Sequence, residues 1–152
     1  MRLATDGAAL RRIEFLASHA ERRAPADWIR AEAPLKTVVE QLKAYFAGAR
    51  RDFDAPLAPQ GTTFQQNVWR SLCEIPYGAT ISYSELATRV GNPRAFRAVG
   101  LANGQNPIPI VIPCHRVIGK DGTLVGYGGG LHIKENLLAL ERGERRLIFS
   151  AT

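Results

Sequence analysis

Residues 106–117 read Asn106-Pro107-Ile108-Pro109-Ile110-Val111-Ile112-Pro113-Cys114-His115-Arg116-Val117, an apolar run followed at once by a thiol, an imidazole and a guanidinium. The run 108–112 has little to offer water and should be driven into the interior. Cys114 is therefore expected at the floor of a pocket, a position that suits chemistry on a substrate brought inside. A free cysteine, with a pKa of about 8.5, is mostly protonated at neutral pH and needs a group to take its proton. His115 is the nearest acceptor, directly or through a bridging water. An imidazole in that role needs an acceptor on its other nitrogen, and Glu141, on a predicted closing helix, is the candidate.

Upstream, Ser82 and Glu85 have the spacing of a capping box that starts a short helix through Val90. Gly91-Asn92 makes a tight turn, and Pro93 suits the first position of a second helix carrying Ala95, Phe96, Arg97, Ala98, Val99 and Gly100. Two short helices around a glycine-containing turn outline a helix-turn-helix. Ala95, Ala98 and Gly100 give the second helix a smooth face that lets its backbone approach a partner, and Arg97 projects a cation from it. Such a face fits a groove. Downstream, residues 117–125 predict a hairpin turning at Asp121-Gly122, followed by Gly126-Tyr127-Gly128-Gly129-Gly130, a loop able to lie against a flat substrate. The closing helix runs from His132 to Arg142, with Ile133, Leu137 and Leu140 inward and Gly143 as its stop.

The first part of the chain is more generic. Two strands are expected around Asp6-Gly7 within residues 1–16, then a helix with Val38, Val39, Leu42, Tyr45 and Phe46 at helical spacing before Gly48. Residues 54–61, with Pro56, Pro59 and Gly61, are the linker candidate. Thr63 and Gln66 predict a capping box for the next helix, on which Phe64, Val68 and Leu72 form a stripe and Cys73 is read as an inert packed thiol. This gives an α/β N-terminal lobe with its linker over 1–60 and a mainly α C-terminal domain over 61–152.

Composition narrows the class. The chain has 20 basic and 14 acidic side chains, a net charge of +6, and 45% hydrophobic residues. The surplus is +2 over residues 1–60 (ten basic, eight acidic) and +4 over 61–152 (ten and six), which favours a polyanionic partner near the thiol. No apolar run approaches the roughly 18 residues of a membrane span, and the start lacks an export signal, so a cytoplasmic protein is expected. Two cysteines without CxxC spacing and the scattered His19, His115 and His132 predict neither a disulfide framework nor a metal site. No heptad or exposed strand pattern calls for association, so a monomer is expected.

The residues 106–117, together with Phe64-Gln65-Gln66-Asn67-Val68-Trp69, Tyr77-Gly78, Ile81-Ser82-Tyr83, Gly91-Asn92-Pro93, Arg97-Ala98-Val99-Gly100 and Tyr127-Gly128-Gly129-Gly130-Leu131, resemble the methylated-DNA--protein-cysteine methyltransferases, or O6-alkylguanine-DNA alkyltransferases. The resemblance runs in collinear order from about Thr63 through Glu141. It implies a ribonuclease-H-like N-terminal lobe and a winged-helix-like C-terminal domain. It also implies an irreversible, single-turnover transfer of the alkyl group from O6-alkylguanine in DNA to Cys114, with O4-alkylthymine as a second expected substrate and no cofactor. On this resemblance His115 relays the proton, Glu141 orients His115, Asn106 organises hydrogen bonds around the thiol and Tyr83 donates to the departing guanine. Backbone carbonyls at Cys114 and Val117 accept from the base, and Tyr127 and Gly128 wall the pocket.

The partner implied is double-stranded DNA held through its minor groove, with the damaged nucleotide rotated out and Arg97 in the vacated stack. Ala95, Gly100, Ser82, Asn92 and Arg116 are further DNA-facing candidates. Two departures accompany the resemblance. Residues 1–60 contain no cysteine and only His19, so the zinc of some relatives is not expected, and Gly128 stands where some relatives have serine. Two other readings are kept: a DNA-binding sensor that transfers nothing, against which the intact Cys114 speaks, and a cysteine hydrolase using Cys114 and His115.

Overall fold

A computed structural model describes residues 1–16 and 25–144; His19 lies outside them. The chain opens with an antiparallel hairpin in which β1 (Arg2–Thr5) pairs with β2 (Leu10–Glu14), Leu3 opposite Ile13. Asp6 shapes its turn by accepting hydrogen bonds from the amides of Ala8 and Ala9. The outer edge of β2 is covered too. Leu10 N donates to Pro56 O at 2.8 Å, Ala58 N to Leu10 O at 2.9 Å and Ile13 N to Pro107 O at 2.9 Å. The proline-rich stretch expected as a linker is thus packed along β2 rather than loose. Helix α1 (Lys36–Phe46) follows, burying Val38, Leu42, Tyr45 and Phe46.

Helix α2 (Thr63–Cys73) begins one residue earlier than predicted, at the residue expected to cap it. Thr62 and Gln65, not Thr63 and Gln66, form the capping box, because Thr62 holds the extended backbone that a cap requires. Its buried face is Val68, Trp69 and Leu72. Cys73 is exposed, correcting the packed reading: one residue beyond Leu72 is a rotation of about 100°, which carries the side chain off the inward stripe.

The helix-turn-helix outline is present as α3 (Tyr83–Arg89) packed on α4 (Phe96–Gly104). The Ser82–Glu85 capping box forms as predicted. Pro93 stays in the turn, however, and α4 starts at Phe96, three residues later than expected. The predicted hairpin over 117–125 does not form. Instead β4 (Val117–Ile118) runs parallel to β3 (Ile81–Ser82), the short strand that leads into α3, and Asp121-Gly122 merely closes a turn in which Gly119 N donates to Thr123 O at 2.8 Å. The closing helix α5 (Leu131–Glu141) brings Lys134, Leu137, Leu138, Leu140 and Glu141 inside.

A single hydrophobic core joins the two halves: Leu10, Ile13 and Tyr45 from the first pack with Trp69, Leu86, Ile108, Val117 and Leu137 from the second. Among the described residues no helix is long and apolar enough to cross a membrane, and no group of His, Cys, Asp and Glu is placed to hold a metal ion.

Candidate active site

The run 108–112 is buried as its composition dictates, but its backbone is unusual. Ile110 has φ +76°, a left-handed conformation that a β-branched residue rarely adopts and that persists only where its surroundings over-determine it. Asn106 supplies much of that determination. Its Oδ1 accepts from Ile108 N at 3.0 Å and its Nδ2 donates to Ile112 O at 2.7 Å, clasping the loop from both ends. Ile112 N also donates to Ile108 O at 2.9 Å, and Cys114 N to Ile112 O at 2.8 Å across Pro113, an inverse γ-turn at φ −82° and ψ 63°. The strained loop thereby presents Cys114 at the start of the short helical turn Cys114–Arg116. Asn106→Ala, which leaves two loop groups without partners, is expected to cost about 1–3 kcal/mol, read as a lowered urea midpoint.

Behind the thiol lies a hydrogen-bonded relay. Cys114 is buried, and burial pushes its thiol up to about 11, although Asn106, the Lys134 ammonium and the Tyr127 hydroxyl each pull the other way. At neutral pH it therefore rests protonated. His115, fully buried, is held below its ordinary value by that burial, against the pull of Glu141. Its Nε2 lies 2.8 Å from Glu141 Oε1. An ionised carboxylate only accepts, so Nε2 carries the proton and Nδ1, buried without a partner among the described residues, is the basic nitrogen.

Glu141 is ionised for reasons equally visible. Burial alone would raise its carboxyl, but hydrogen bonds from His115 and Arg116 outweigh this and hold it well below the usual carboxylate range. Arg116 donates from Nε to Oε2 at 2.9 Å and from Nη2 to Oε1 at 2.8 Å, Tyr45 Oη to Oε1 at 2.7 Å, and Gly78 N to Oε2 at 3.0 Å. Gly78 can do so because it sits at φ +78°, with Glu141 O only 3.2 Å from where a Cβ would stand.

In front of the thiol is a cavity of about 180 Å³ lined by Asn106, Pro109, Cys114, Tyr127, Gly128 and, just after β2, Phe15, among others. That is below the roughly 300 Å³ at which sites for drug-sized ligands begin, and suits one planar ring system. Tyr127 stands against Phe15 with ring centroids 5.9 Å apart. Its hydroxyl is buried with no hydrogen-bond partner among the described residues, and burial first, then the Cys114 thiol, keeps the phenol strongly protonated. Tyr83 Oη donates to Val125 O at 3.2 Å, and its phenol too is raised, first by burial and then by Cys114.

Several candidates fall elsewhere. Arg116 is not a DNA-facing residue: it is buried, and its guanidinium is held by Glu141 and by Ile75 O at 2.6 Å. Val117, expected to offer its carbonyl to a base, is fully buried outside the cavity lining, and that carbonyl accepts from Lys134 Nζ at 2.6 Å. Arg97 is exposed on α4, its guanidinium 5.9 Å from the Phe96 ring centroid. Ala95 caps the same helix and Asn92 is exposed in the turn before it. A Cβ at Gly100 would meet Tyr83 only at ordinary contact distance, 3.7 Å. Ser82 serves first as the α3 cap, accepting from Glu85 N at 3.1 Å.

Phe15 and Asn103, which line the cavity, escaped sequence reasoning, as did Lys134 and Tyr45. Lys134 is fully buried, bridging Val117 O and, at 2.9 Å, Val125 O, with Nζ 5.9 Å from the Tyr83 ring centroid. The signal was available: Lys134, Leu137, Leu138 and Glu141 stand at i, i+3, i+4 and i+7, one helical face. Tyr45 was read only as core, since nothing in its periodicity reveals what its hydroxyl meets.

The chain matches family profiles along nearly its whole length: the ribonuclease-like domain of 6-O-methylguanine DNA methyltransferase over residues 2–59 and the DNA binding domain over 63–143. A methylated-DNA--protein-cysteine methyltransferase of Methanosarcina barkeri is 53% identical over 144 residues, covering 95% of this chain and 91% of that protein. One from Mycolicibacterium paratuberculosis is 58% identical over 115 residues, 76% and 70% of the two chains. The crystal structure of Mycobacterium tuberculosis OGT in complex with DNA superposes with a TM-score of 0.86 at 48% identity, over 93% of this chain and 86% of that one. With both halves matched in order and Cys114 seated between Asn106 and the His115–Glu141 relay, this chain belongs to the 6-O-methylguanine DNA methyltransferase family.

Proposed function

We propose that this protein repairs DNA by moving the alkyl group of O6-alkylguanine irreversibly to Cys114. The observation that carries the reading is a buried thiol facing a cavity the size of one base, with a neutral histidine behind it whose free nitrogen is the basic one. His115 Nδ1 takes the thiol proton, directly or through a bridging water, as the substrate enters. Glu141 stabilises the imidazolium formed, and Lys134 offsets the charge of the thiolate. The sulfur lone pair forms a bond to the alkyl carbon while the carbon–O6 bond breaks, its electron pair going to the guanine. Tyr83, which lies outside the cavity lining and whose raised phenol keeps its proton, turns that proton from Val125 O to the departing base. A thioether is a poor leaving group, so each molecule acts once.

A stacked base cannot deliver its O6 substituent to a recessed thiol, so the nucleotide is rotated out at a cost of a few kcal/mol. Arg97, on the exposed face of α4 with Ala95 and Gly100 beside it, fills the gap from the minor groove. Asn92 and Ser82 flank that surface. We read residues 1–60 as a reduced ribonuclease-H-like lobe and 61–152 as a winged-helix-like unit. The profile matches and the α3–α4 pair followed by β4 and its turn support this, although only one two-stranded sheet occurs in the N-terminal lobe among the described residues.

The test is intact mass after incubation with an oligonucleotide carrying O6-methylguanine. A gain of one methylene on Cys114, saturating at one per molecule, supports the proposal; binding with unchanged mass, or repeated turnover of an ester or amide, rejects it. Arg97→Ala is expected to slow repair in duplex DNA by about tenfold or more, since the extruded state loses its filler, while reaction with free O6-benzylguanine stays near wild type. Equal losses on both substrates would exclude the stack-filling role.

A further inference from the structure

We propose that Tyr45 is a positioning residue of the N-terminal lobe, setting through its hydrogen bond to Glu141 how strongly that carboxylate supports His115. The inference rests on the transfer reaction proposed above and adds to it a dependence on lobe docking.

The geometry is specific. Tyr45, on α1, has no solvent exposure, and its hydroxyl donates at 2.7 Å to the same oxygen, Glu141 Oε1, that faces His115 Nε2 at 2.8 Å. Arg116 reaches that oxygen as well, with Nη2 at 2.8 Å and Nε at 3.2 Å. One carboxylate oxygen thus receives donors from three side chains, more than its two lone pairs readily serve. Each donor draws charge away from the others. Tyr45 cannot escape the competition by ionising, because burial and Glu141 push its phenol far up. The other charged or titratable groups facing His115 are Arg116 on its own turn and Lys134 on α5, with Cys114 adjacent; Tyr77 faces Tyr45 and Arg116 from the loop after α2.

Removing the hydroxyl leaves more of the Oε1 charge to His115, which stabilises the imidazolium. His115 must be neutral to accept the thiol proton, so a more readily protonated His115 loses activity at a higher pH. The N-terminal lobe, which nothing in the relay otherwise requires, thereby lowers the pH at which the relay works.

The experiment uses the full chain. Single-turnover transfer from O6-methylguanine DNA is followed from pH 5 to pH 9 for wild type, Tyr45→Phe and Phe53→Leu, and the His115 ring resonances are titrated by NMR in the same proteins. Phe53 packs on the Tyr45 ring at 5.5 Å between centroids and has no donor to offer the carboxylate, so it controls for packing. Tyr45→Phe is expected to move the acidic midpoint of both the rate and the His115 resonance upward by about 0.5–1 pH unit. Phe53→Leu should lower thermal stability and leave both midpoints in place. Unmoved midpoints in Tyr45→Phe, or equal shifts in the two variants, overturn the proposal. Because the resonance reads His115 without any transfer, a wild type that fails to alkylate would reject the reaction while the Tyr45 inference is still judged on its own.

Discussion

Glu141→Ala is expected to destabilise the fold by about 3–5 kcal/mol, a large share of the roughly 5–15 kcal/mol that holds a domain together. Among the described residues the carboxylate alone balances the charge of the buried Arg116 guanidinium, and it also holds His115, Tyr45 and the Gly78 amide. Deleting it strands a buried cation and several buried donors together. The pH dependence follows from two groups. His115 is held below its ordinary 6.5, so the unfolded chain takes up that proton first and stability falls as the pH drops below 6.5. Glu141 is held below its ordinary 4.5, so its contribution is complete above 4.5 and lost as the pH falls further. Wild type should lose urea resistance steadily from pH 7 to 4, and the variant, starting lower, should fall less steeply below 4.5. A variant midpoint within about 0.5 kcal/mol of wild type at pH 7 would mean that the carboxylate is not the anchor its contacts indicate.

How far the chain could be read in advance depended on how local the signal was. The hairpin at Asp6-Gly7, the Ser82–Glu85 cap and the buried 108–112 run each follow from a few neighbouring residues, and each is found. His115 does meet Glu141, at 2.8 Å, and Asn106 holds the loop that ends in Cys114, the juxtaposition that the proposed chemistry requires. The failures share a cause: the partner lies far along the chain. The return strand expected after Asp121-Gly122 is absent because β4 pairs instead with β3, some 36 positions earlier (117 − 81). Arg116 is a DNA-facing candidate on the resemblance, yet Glu141, 25 residues on, claims it. Tyr45 and Glu141 are separated by 96 positions, a contact no periodicity can announce. Lys134 is the instructive exception, since its place on the inward face of α5 was legible and only its charge argued against believing it.

Cys114→Ser should abolish transfer while the fold and DNA binding persist. The hydroxyl is nearly the size of the thiol, and the backbone that positions it is fixed by Asn106 and the Pro113 turn rather than by sulfur. What changes is the nucleophile. Burial already raises the thiol to about 11, within reach of a histidine acceptor once Lys134 and Tyr127 share the developing charge. An alcohol is far less acidic than a thiol and far less nucleophilic toward saturated carbon. The variant should bind O6-methylguanine duplex with a dissociation constant within about threefold of wild type, because α4 and Arg97 are untouched, and hold the lesion without a mass change. Its salt dependence should match wild type, since the same cations meet the phosphates. Residual transfer at a tenth of the wild-type rate or more would place the acceptor elsewhere, and the exposed Cys73 would then be the residue to examine by peptide mass.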